Sequence, residues 1–170
     1  MVATKTGRVP SKSASAELAE FIAPYTPEIA SRARAVLAKM RKRLPGAFEL
    51  VYDQYNGLVI GFGPSERASE AVFSIVLYPR WVTLFFLKGA KLSDPERLLR
   101  GSGTTVRHIV LDGPEVLDQP SIKALMAEAL QGTHASLLLH QPRHIVVKGR
   151  APKRRQRRPA EGQRAARKRN

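Results

Sequence analysis

The chain has 170 residues, no cysteine and a formal net charge of +15. That length suits one domain with appendages, and the missing cysteine excludes a disulfide framework, thiolate zinc sites, cysteine-held iron–sulfur clusters and a cysteine nucleophile. No apolar run approaches the roughly 20 residues of a membrane span and the start lacks a signal-peptide core, so the sequence reads as soluble and cytoplasmic.

The first 15 residues are small, polar and basic (Lys5, Arg8, Lys12), and are expected to form a disordered arm. Ser15 is the expected cap of a short helix through Ile22. Thr26-Pro27-Glu28 is a stronger start signal, because proline suits the first helical position and a carboxylate suits the positive end of the dipole. From it Ile29, Ala33, Val36, Leu37, Met40 and Leu44 recur at helical spacing, with Arg41, Lys42 and Arg43 in the last turn and Pro45-Gly46 as the stop.

The period then switches to alternation over Phe48, Leu50 and Tyr52. Asn56-Gly57 predicts a tight hairpin with two positive φ angles, returning through Leu58 to Phe62. Two further runs, Ala71 to Tyr78 and Trp81 to Lys88, extend this to a four-stranded antiparallel meander. Ser93-Asp94-Pro95-Glu96 predicts a short helix over Arg97, Leu98 and Leu99 closed by Gly101, followed by a fifth strand, Thr105 to Leu111. Pro120 opens a final helix whose Ile122, Leu125, Met126 and Ala129 share one face, with Gly132 as its stop. Ser136 to His140 and His144 to Lys148 read as weak strands.

This order defines an α+β domain: a largely antiparallel sheet of about five strands, with N- and C-terminal helices packed on one face. It lacks the strand–helix alternation of a doubly wound nucleotide-binding fold. The expected organisation is an arm (1–15), an α/β domain (16–132), an extension (133–147) and a disordered basic tail (148–170).

Phe86-Leu87-Lys88-Gly89-Ala90, Asp94-Pro95 with Leu98-Leu99, and Gly101-Ser102-Gly103 leading to Arg107-His108-Ile109 together resemble the signature stretch of the YdhG-like domain family. That bacterial family is mostly of unknown function, and the resemblance covers roughly residues 20–131. It implies a layout related to frataxin, and the iron-chaperone role attributed to some relatives. An iron surface needs hard carboxylate ligands, whereas the long first helix carries Arg32, Arg34, Lys39, Arg41, Lys42 and Arg43 against Glu28 alone. A carrier role would need Glu49, Asp53, Asp94 or Glu96 to converge.

About two thirds of the net charge lies after Val147, where Lys148, Arg150, Lys153, Arg154, Arg155, Arg157, Arg158, Arg164, Arg167, Lys168 and Arg169 face the lone Glu161. With no apolar residue larger than alanine, that segment is expected to stay disordered and to bind nucleic acid or another polyanion with little base specificity. The alternative is a solvated, solubilising or targeting tail: Lys148 to Pro152 faintly resembles a minor-groove hook, and Pro152 to Arg158 a nuclear localisation signal. On either reading, a chain cut after Val147 keeps its fold.

Smaller features have bland competitors. Arg32, Lys39 and Arg43 form a basic stripe that would extend a groove or simply be solvated. Ser102, Gly103, Thr105 and Arg107 form the candidate anion site within the domain, although their loop enters a strand rather than the helix a phosphate cradle uses. His134, His140 and His144 invite a metal, but Pro142 prevents the helix that would align them, and no metal or other cofactor is expected. His108 is the candidate for a small-molecule or enzymatic site, against a packed strand residue. Tyr52, Tyr55, Tyr78 and Trp81, near strand ends, would stack unpaired bases if exposed together, against ordinary edge packing. No reaction is legible, and the sequence points to a non-enzymatic binding module, cytoplasmic or associated with the nucleoid.

Overall fold

A computed structural model describes residues 12–133 and 135–159. Helix α1 spans Ala14–Ile22 and helix α2 spans Pro27–Arg43. Strands follow at Phe48–Asp53 (β1), Leu58–Gly63 (β2), Phe73–Leu77 (β3), Val82–Phe86 (β4) and Arg107–Leu111 (β5), then helix α3 at Pro120–Leu130 and strand β6 at His144–Arg150.

Both N-terminal helices start on side-chain caps. Ser13 accepts from the Ala16 amide at 3.2 Å, so the cap of α1 lies two residues ahead of the expected Ser15. Thr26 accepts from the Ile29 amide at 3.3 Å and places Pro27 at the first position of α2. The apolar stripe of α2 is buried, and its basic last turn sits at the negative end of the dipole.

Strands β1 to β5 form the antiparallel meander in sheet order β5-β4-β3-β2-β1. The sheet does not stop there. Strand β6 adds to the free edge of β1 in parallel, making the sheet six-stranded and mixed, with a bulge where Val51 pairs Val147 but Tyr52 pairs Gly149. Residues 148–150 therefore belong to the sheet, and the boundary expected after Val147 falls inside a strand. Of the two weak strand signals, Ser136 to His140 forms a 3-10 turn at Ala135–Leu138 instead.

Alternation sends Val51, Leu58, Ile60, Phe62, Phe73, Ile75, Leu77, Val82, Leu84, Phe86 and Leu111 to one side, where they join Leu18, Ile22, Met40 and Leu125 of the three helices in a single core. The opposite side carries Leu50, Val59, Ser74, Val76, Thr83 and Phe85, and the segment ending at Ala71 crosses it close to Gly61 and Gly63.

Two local expectations fail for identifiable reasons. The β1–β2 turn is closed by the Gln54 amide donating to the Gly57 carbonyl at 3.0 Å, and neither Asn56 nor Gly57 has a positive φ. Glycine is needed there for space: a Cβ on Gly57 would lie 2.6 Å from the Leu77 carbonyl oxygen. The helix expected over Arg97 to Leu99 is absent. The Asp94 carboxylate takes the amides of Leu98 and Leu99 at 2.9 and 2.8 Å, and Arg97 adopts a left-handed φ of 54° that a helix does not allow.

Candidate polyanion interface

Asp53 ends β1 on the core side of the sheet and is only 4% exposed. A carboxylate so placed needs paired and hydrogen-bonded partners, and the basic segment supplies them. Arg157, 5% exposed, donates from Nη2 to Asp53 Oδ1 at 2.9 Å and from Nη1 to the Tyr55 carbonyl at 3.2 Å, and Nη2 also reaches the Gln54 carbonyl at 2.5 Å. Arg154 closes on the other carboxylate oxygen. Their guanidinium groups also lie over aromatic rings of the N-terminal region, Arg154 at 5.4 Å from the Phe21 centroid and Arg157 at 5.6 Å from that of Tyr25.

Main-chain bonds continue the arrangement. The amides of Ala151 and Arg155 donate to the carbonyls of Asp53 and Tyr55 at 2.8 and 2.9 Å. Tyr25 donates its hydroxyl to the Leu77 carbonyl at 3.0 Å. Burial pushes its pKa up to about 12, partly opposed by the nearby Arg157 charge.

The basic segment thus divides. Arg154 and Arg157 are structural, contrary to the expectation that they belong to a disordered binding tail. Arg150 pairs bidentately with Glu17 of α1, holding that carboxyl below its usual range, and Lys148 lies 3.9 Å from Glu66. Lys153 and Arg155 are exposed and make no ion pair among the described residues. Arg158 is exposed, its Nε fixed by the Pro24 carbonyl at 3.1 Å. Arg164, Arg167, Lys168 and Arg169 lie outside the described residues.

Arg155 and Arg158 line the wall of a cleft of about 830 Å³. Its floor is Val59 and Val76, paired neighbours on β2 and β3, and its far wall is the β3–β4 turn with Tyr78, Pro79, Arg80 and Trp81. The Tyr78 and Trp81 rings lie 5.8 Å apart at 49°. Trp81 is 40% exposed, while burial raises the pKa of the Tyr78 hydroxyl. Of the four aromatic residues singled out from sequence, Tyr78 and Trp81 are brought together. Tyr52 is half-buried on β1, and the exposed Tyr55 sits in the neighbouring turn.

The other candidates are dispersed. Arg107 donates from Nη1 to the carbonyls of Gly103 and Val106, bracing the loop that carries Ser102, Gly103 and Thr105. Along the α2 stripe, Arg32 pairs with Glu28, and Lys39 and Arg43 both close on Asp118. His108 packs on Phe85 and His144 stacks on Phe48 at 4.7 Å, while His134 lies outside the described residues. Glu49, 1% exposed, is held by Arg41 and Arg143, and Asp94 by its own loop. The four carboxylates a carrier role would need do not converge, and among the described residues no three metal-ligating side chains cluster. No described helix is long and apolar enough to cross a membrane.

Sequence reasoning missed the pairing of Asp53 with Arg154 and Arg157. The only signal was Asp53 itself, an acid whose side of β1, shared with Glu49 and Val51, faces the core, whereas the alternation of Phe48, Leu50 and Tyr52 runs along the opposite side. Comparison with protein-family models, curated proteins and solved structures found no match.

Proposed function

We propose that the protein is a non-enzymatic binding module, a YdhG-like domain that associates with nucleic acid through its C-terminal basic segment in the cytoplasm or on the nucleoid. The observation that carries this reading is the sorting of arginines. Arg154 and Arg157 are engaged by the buried Asp53, which leaves Lys153, Arg155 and Arg158 on the surface, the two arginines bordering an aromatic-walled cleft. The sequence after Pro159 adds four further cations, Arg164, Arg167, Lys168 and Arg169. Such a set neutralises phosphates by releasing counterions, independently of base sequence. The family part of the reading is supported by the signature residues of the Trp81 to Leu111 stretch and by the meander flanked by helices.

The test is the salt dependence of binding to a labelled oligonucleotide. Ending the chain after Pro159 removes four basic groups, and the log–log salt slope of single-strand binding should become shallower by about 3. The triple change Lys153→Ala, Arg155→Ala, Arg158→Ala should cost about 2 in slope. Equal affinities and slopes for all three proteins would sink the reading.

A further inference from the structure

We infer that the cleft between the β3–β4 turn and the C-terminal segment is a base-stacking site for single-stranded nucleic acid. This rests on the polyanion reading and specifies its ligand. Three features of the cleft match an unpaired nucleotide rather than a bare polyanion.

The first is an apolar surface for a base. Trp81 and Tyr78 are tilted against each other at the rim, and Val59 and Val76 form a floor without charge. A base in a duplex has both faces covered by its neighbours, so only an unpaired one can lie on such a surface. The second is a set of neutral donors and acceptors at the edge. Gln54, Asn56 and Gln156 carry side-chain amides that read base edges without adding charge. The third is a set of cationic groups at its margins, Arg155 and Arg158 from the C-terminal segment and Arg80 from the β3–β4 turn. Arg155 and Arg158 meet a phosphate there while the base points inward.

The volume falls in the range of sites that enclose small ligands. Its position is set by the fold. The Tyr78 amide donates to the Trp81 carbonyl at 2.9 Å, which fixes the aromatic turn, and the Arg155 amide donates to the Tyr55 carbonyl, which fixes the opposite wall.

Trp81 is the only tryptophan in the chain, so its fluorescence reports on this site alone. The full chain is titrated with oligo-dT, with a DNA duplex of equal charge, and with inorganic polyphosphate, while binding is measured separately by anisotropy. All three should bind at low salt, and oligo-dT alone should quench Trp81. Trp81→Ala should weaken oligo-dT binding about 10- to 100-fold and leave polyphosphate binding unchanged, and Trp81→Phe should restore much of the loss. Thermal melting of both variants separates lost stacking from lost fold. Binding of all three ligands with no change in Trp81 fluorescence and no selective effect of Trp81→Ala overturns the stacking site and leaves the polyanion reading standing. Failure to bind any of them overturns both.

Discussion

A chain ended after Val147 should be severely destabilised, whereas one ended after Pro159 should unfold close to the full chain. The shorter truncation takes away the end of β6 and both guanidinium partners of Asp53. A buried carboxylate stripped of its partners costs about 3–5 kcal/mol, against a total stability of about 5–15 kcal/mol for an ordinary domain. The lost strand end and the uncovered rings of Phe21 and Tyr25 add to that. The midpoint of thermal unfolding should fall by at least about 10 °C. Truncation after Pro159 leaves every one of these contacts in place. Equal midpoints for the two truncated chains would show that the segment from Lys148 to Pro159 contributes nothing to the fold. The consequence for binding experiments is direct: a loss of nucleic-acid binding on cutting after Val147 does not isolate the role of the basic segment, because the domain is damaged as well.

Replacing Asp53 by Ala should cost about 3 kcal/mol, because it leaves the buried Arg157 with only the neutral carbonyl acceptors of Gln54 and Tyr55. Arg154 is less affected, since its side chain is 45% exposed and can return to water. Arg157→Met keeps the apolar stem but removes the charge, and the remaining Arg154 still serves Asp53. Its cost should therefore be smaller, about 1–2 kcal/mol. The double variant Asp53→Ala, Arg157→Met should lose less than the sum of the two, with a coupling of about 1–2 kcal/mol measurable by urea unfolding. Strict additivity would mean that the pair is not the link between β1 and the C-terminal segment.

The parts of the fold legible in the sequence are those whose order is set locally. The stripe from Ile29 to Leu44, the cap at Thr26 and the stop at Pro45-Gly46 define α2 without reference to any other element. Likewise, alternation and the runs ending at Tyr78 and Lys88 define the meander, because neighbouring strands in sequence are neighbours in the sheet. What the sequence hid depends on distant partners. His144 to Arg150 joins the sheet because β1 has a free edge, a fact not contained in the segment itself. The run from Lys153 to Arg158 has no apolar side chain to mark it as ordered. Its order comes from one carboxylate more than ninety residues earlier and from two rings earlier still. A cluster of arginines reads from sequence as a solvated polycation, and half of this one is that. The aromatic pair was legible only as residue types near turns, since their meeting depends on the register that sets Tyr78 opposite Trp81 across the β3–β4 turn. The loop after Asp94 misled because a side-chain cap that would start a helix instead closes the turn on itself.

Hydrogen exchange at the Ala151 and Arg155 amides of the full chain tests most directly whether the basic segment is divided into a structural part and a binding part. Both amides donate to β1 or the turn that follows it, and should exchange at least about 100-fold more slowly than an unstructured chain. Exchange at the unstructured rate for both, with β1 itself protected, would contradict the division and return the whole segment from Lys148 onward to a free tail.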